Sequence, residues 1–116
     1  MKKLDCDKMI IAVLQGDDYY EAIANLNEHG FYATVLNSNG GFLKKRSVTL
    51  MIGLNHAHLD QALKILEQYG ERMETHYQPA TMVGSATPMA GASIPVSVRS
   101  GGVVLFVLDV ERSEKY

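Results

Sequence analysis

The sequence predicts an α+β fold with the element order β-α-β-β-α-β, and three observations carry that expectation. Apolar runs rich in branched residues at 9–15, 47–54 and 103–110 read as strands. Two intervening stretches, 18–29 and 56–69, repeat apolar residues at helical spacing. Gly16, Gly30, Gly70 and the pair Gly101-Gly102 stand at the borders of these runs, where the chain must change direction.

Each element has its own reason. Met9 to Gln15 is a continuous apolar run, as expected of a strand covered on both sides or central in its sheet. Asp17 or Asp18 can cap a helix over 18–29, with Tyr19, Ala22, Ile23 and Leu26 on its apolar side and Gly30 at a left-handed C-terminal cap. Phe31 to Asn37 reads as the second strand and Ser47 to Leu54 as the third. Asn55 can cap a second helix carrying Leu59, Ala62, Leu63 and Leu66, which Tyr69 extends and Gly70 ends.

Glu71 to Val98 contains Pro79, Pro88, Pro95, Gly84 and Gly91 among many small residues, and reads as a long loop with room for a short strand at 95–99. A loop of that length in a compact domain tends to be functional or disordered, and its Met82, Val83, Met89 and Ile94 suit a partner subunit or a ligand. Val103 to Val110 gives the strongest strand signal, and the polar tail 111–116 is expected to fray. The sum is one domain over 1–116, a ferredoxin-like split βαβ with an antiparallel sheet and both helices on one face. The sheet's other face, apolar in the first and last strands, is expected to be buried against further copies in a closed symmetric oligomer.

Composition narrows the function. A net charge of −2, with 47% hydrophobic and 21% charged residues, argues against an electrostatic grip on nucleic acid, which needs clustered Lys and Arg. Lys44-Lys45-Arg46 is the one dense basic cluster; it is either solvated or faces a small anionic ligand. Cys6 stands alone, so no intrachain disulfide forms and a reducing compartment is expected. Acidic residues precede Met9 and the apolar run to Leu14 is too short to span a bilayer, so neither a signal peptide nor membrane insertion is expected and a cytoplasmic location follows.

Catalytic patterns find no support. Cys6 has no evident positioned base, and no Gly-x-Ser-x-Gly elbow, Gly-Lys-Ser/Thr phosphate loop or Gly-x-Gly-x-x-Gly turn occurs. His56 and His58 form the one His-x-His pair, but at a helix start residues two apart diverge, so no metal site is expected. No cofactor and no enzymatic activity are expected. Binding remains, and the stretch Thr34 to Asn55 suits it. The insert 37–46 is too long for a tight turn; Gly40-Gly41 offers bare backbone amides, and Phe42 and Leu43 follow at once. Together with Thr34 as a polar edge reader these make a shelf for a planar heterocycle. The alternative is that Phe42 and Leu43 simply start the next strand and face the core.

These residues carry a resemblance. Met-Ile-Ile-Ala-Val-Leu-Gln at 9–15, Phe31-x-Ala33-Thr34, Gly40-Gly41-Phe42-Leu43, Thr49-x-x-x-Gly53 and Gly101-Gly102-x-x-x-Phe106-Val107-Leu108 resemble the PII-like signal proteins of the cyclic di-AMP receptor family over almost the whole chain. The resemblance implies a non-enzymatic ferredoxin-like subunit in a homotrimer, with a cyclic dinucleotide in each cleft between neighbours and an unspecified downstream protein. It assigns Thr34 and the backbone around Ala33 to one adenine, Gly41, Phe42 and Leu43, next to Gly40, to walls and amide donors, Gly53 to close approach, and Phe106 to support of the pocket. Many members carry Asn before the Phe of strand two, Arg after it and Asn beyond the Gly-Gly-Phe-Leu loop; here Gly30, Tyr32 and Ser47 stand there. Tyr32 either stacks on the purine or fills the pocket. A regulatory module of the same fold that no longer binds cyclic di-AMP, and acts through protein partners or another nucleotide, is the alternative.

Overall fold

The computed structural model describes residues 2–3, 5–36, 47–79 and 93–116, so the 37–46 insert and the tip 80–92 of the expected long loop lie outside the described residues. The chain divides into two compact units, one of 1–70 with 101–116 and one of 71–100.

The first unit holds a four-stranded sheet of β2 (Lys8–Gln15), β3 (Ala33–Leu36), β4 (Ser47–Leu54) and β7 (Val103–Asp109), in the order β3-β4-β2-β7. Every neighbouring pair is antiparallel. With α1 (Tyr19–Glu28) and α2 (Leu59–Glu67) in the two crossovers, this is an α+β arrangement compatible with a ferredoxin-like fold. The continuous apolar run of β2 is explained by its central position. Ile10, Ala12 and Leu14 face a fully buried core, while the alternate Met9, Ile11 and Val13 are only half-buried.

The core is one cluster. Alternate residues of β2 and β4 (Val48, Leu50, Ile52, Leu54) join Ala22 and Leu26 of α1, Ala62, Ile65 and Leu66 of α2, and Phe31 and Tyr69 from the turns. Both helices therefore cover the same sheet face. At about 1.5–3 kcal/mol for each large side chain taken from water, this cluster dominates the stability of the unit. Tyr69, buried just past α2, keeps its hydroxyl satisfied by accepting from Asn25 Nδ2 at 3.2 Å.

The punctuation works as elementary chemistry demands. Gly30 ends α1 with φ +83°, a left-handed turn. Asp18 is the N-cap of α1 without a side-chain capping bond. Asn55 does cap: its Oδ1 accepts the Ala57 N–H at 2.9 Å and opens a 3-10 turn, His56–His58, that leads into α2. Gly101 and Gly102, both at positive φ, turn the chain into β7, where Gly102 N–H donates to the Tyr69 carbonyl and its own carbonyl accepts from Gln15 N–H.

Two expectations change. The stretch read as a long loop contains β5 (Arg72–Pro79) and β6 (Ser93–Ser100), paired antiparallel as a ribbon that makes up the second unit. The ribbon accommodates proline because both of its strands are edges, where Pro95, opposite Tyr77, need not donate to a ladder. The tail expected to fray instead forms β8 (Glu114–Lys115), paired with β1 (Lys2–Lys3) near the N-terminus.

Candidate functional site

The sheet face away from the helices collects four of the six sequence-predicted site residues that the structure describes. In antiparallel ladders directly opposed residues share a face, so the register fixes which side chains lie side by side. One row across the sheet runs Thr34, Met51, Ile11, Phe106. The next runs Leu36, Thr49, Val13, Val104, and a third runs Gly53, Met9, Leu108. Ser47 lies opposite Gln15 on the same face. None of these positions is charged, and Phe106 is 54% exposed, so the face is apolar with hydroxyls toward the β3–β4 side.

The predicted residues separate accordingly. Thr34, Ser47, Gly53 and Phe106 share the open face; Ala33 opposes the buried Ile52 and so turns its methyl to the helix side. Tyr32 stands just before β3 and is 74% exposed. Gly40, Gly41, Phe42 and Leu43 lie outside the described residues. Thr34 sits on one outer strand and Phe106 on the other. Three interstrand steps separate them, about 14 Å at the usual strand spacing, so within one subunit they are too far apart to grip the same base.

Gly53 has a reason internal to the chain. A Cβ added there would stand 2.8 Å from Cys6 Sγ, so the thiol occupies the space that the missing side chain leaves. Residues 5–7 are tied down around it. Asp7 N–H donates to the Leu54 carbonyl, and Val110 N–H donates to the Asp7 carbonyl. The Asp7 carboxylate accepts the His56 N–H at 2.7 Å and lies 2.6 Å from His56 Nδ1. Asn55 Nδ2 donates to Asp5 Oδ1 at 2.9 Å, and Ser113 Oγ to the Cys6 carbonyl at 3.2 Å. Partial desolvation pushes the Asp7 carboxyl up, but the side-chain and backbone hydrogen bonds from His56 outweigh it and hold it below the ordinary range. At the same end of the sheet Lys8 pairs with Asp109, whose hydrogen bond and charge push the ammonium pKa up.

His56 thus serves Asp7, and among the described residues no group of three His, Cys, Asp or Glu is placed to hold a metal ion. Among the described residues no helix is long and apolar enough to cross a membrane. The strap made by residues 5–7 escaped the sequence reading, because Asp7 and His56 meet only through the β2–β4 pairing and no local pattern marks them.

Over residues 7–116 the chain matches a family described as cyclic-di-AMP receptor. A solved structure of a functionally unknown protein from Pediococcus pentosaceus ATCC 25745 is similar, with a TM-score of 0.71 and 23% identity over 97% of this chain and 100% of that one. At that identity the likeness speaks for the fold.

Proposed function

From the premise that the chain belongs to the cyclic-di-AMP receptor family, which is PII-like, we propose that it is a non-enzymatic signal-transduction protein binding cyclic di-AMP in clefts between the subunits of a homotrimer. The observation that carries the geometry is the separation of Thr34 and Phe106 on opposite outer strands of one apolar face. A pocket using both draws Thr34 from one copy and Phe106 from its neighbour. In such a trimer the face of partly buried Ile11 and Met51 and half-exposed Val104 and Leu108 is covered, which supplies the apolar burial that holds copies together. Thr34 reads an adenine edge, while Gly40, Gly41, Phe42 and Leu43 close the purine in and carry occupancy to the 37–46 segment. The target is a downstream protein, and the setting is the cytoplasm.

Calorimetric titration with cyclic di-AMP, with ATP and cyclic di-GMP as comparisons, tests the reading. The expected outcome is heat with cyclic di-AMP alone, and a loss of about fivefold in affinity for Thr34→Ala, the worth of one net hydrogen bond. Silence with all three nucleotides sinks it.

The exposed ring of Tyr32, where many relatives carry Arg, favours keeping a second reading: a module of this fold released from cyclic di-AMP and working through protein contacts. Silence with cyclic di-AMP in both wild type and Tyr32→Ala favours this second reading, and where heat is seen the variant decides what the ring does. Weaker binding assigns the ring to stacking on the purine; tighter binding shows it filling the pocket.

A further inference from the structure

We propose that residues 5–7 form a strap that competes with bound nucleotide for the space over Gly53 and so sets how readily the site accepts ligand. The inference rests on the nucleotide reading of the open sheet face. Gly53 lies on that face in the row of Met9 and Leu108, and Cys6 Sγ fills the room in front of it. Anything that approaches the Gly53 backbone from the open side meets the thiol first. Either the ligand stops short of Gly53 or Cys6 turns away.

The strap is built to release. The β2–β4 ladder begins at Lys8 opposite Leu54, so moving Asp5 and Cys6 leaves the sheet whole. Asp7 is anchored by backbone hydrogen bonds to Leu54 and Val110, whereas Asp5 and Cys6 are held by side-chain contacts: Asp5 with Asn55, Ser113 with the Cys6 carbonyl, and the Cys6 thiol with the Lys8 carbonyl at 3.5 Å, with Asp7–His56 beside them. The Asp7–His56 hydrogen bond is itself at the surface, with side chains 46% and 66% exposed, the class of surface polar contact that contributes little and opens readily. Asp5 and Cys6 lie outside the 7–116 span of the family match, and Asp7 lies at its edge.

Cys6 is the one cysteine in the sequence and therefore reports its own position to an aromatic disulfide reagent added to the full-length protein. The latch predicts that His56→Gln and Asp7→Asn each speed Cys6 labelling by about two- to fivefold, as loss of a surface pair allows. Equal rates in wild type and both variants overturn it. Competition predicts that saturating cyclic di-AMP speeds labelling of the wild type and that Cys6→Gly binds it more tightly. Unchanged or slower labelling with ligand bound, or unchanged affinity in Cys6→Gly, overturns the competition. Failure of the nucleotide reading looks different: neither wild type nor Cys6→Gly gives heat with any nucleotide, while the labelling rates still decide the latch.

Discussion

Asp7 and Glu74 are carboxylates that lean on a neighbouring histidine, and both carry a pH dependence of defined sign. The hydrogen bond from His76 holds the Glu74 carboxyl below its ordinary value, helped by Ser100 and Arg72. A depressed folded-state pKa contributes stability that is present above the unfolded carboxylate range and is lost as pH falls through the folded value. The β5–β6 ribbon should therefore lose amide chemical-shift dispersion in acid, and Glu74→Gln should flatten that dependence. An acid transition identical in both proteins contradicts the assignment. Asp7 has the same sign through His56, but its effect falls on the strap, so the two titrations separate when followed residue by residue.

At the scale of elements, turns decide where helices stop. Gly30 adopts φ +83° and a Cβ there would meet nothing within 4 Å, so Gly30→Ala tests backbone strain without a packing clash. The expected loss is about 1 kcal/mol, read as a lower denaturation midpoint with unchanged m-value. A loss near zero means that α1 ends for another reason. The ribbon teaches the complementary lesson. In β6 the branched residues Ile94, Val96 and Val98 alternate with Pro95 and Ser97, a period-two pattern whose strand signal the proline weakens. Its partner β5 alternates Met73, Thr75 and Tyr77 with Arg72, Glu74 and His76, a pattern that gains meaning only once the two strands are in register.

For the whole molecule, the question is what covers the open sheet face. Phe106, Val104 and Leu108 are each about half exposed in one subunit, and contiguous apolar exposure of this kind marks an interaction surface. Under the proposed trimer, Phe106→Asp places a charge in that interface and should shift the protein to smaller species in sedimentation velocity. The helix-side core stays untouched, because Phe106 shares no face with Leu50 or Ile10. A wild type that sediments as a monomer, or a variant that sediments as the wild type does, removes the trimer.

Local signals in the sequence determined the strands around Ile10, Leu50 and Leu105, the two helices, and the turns at Gly30 and Asn55, because periodicity, caps and glycine conformation act within a few residues. The residues themselves single out Thr34 as a polar edge reader, and the family resemblance adds Gly53 and Phe106. Only the tertiary structure decided that Thr34 and Phe106 share a face yet sit on opposite outer strands, that Cys6 rests on Gly53, that Asp7 meets His56, and that the proline-bearing stretch pairs as a ribbon. Each of those depends on register between segments far apart in the chain. A shift of one residue in that register would exchange the faces of a strand, and no short stretch of sequence carries it.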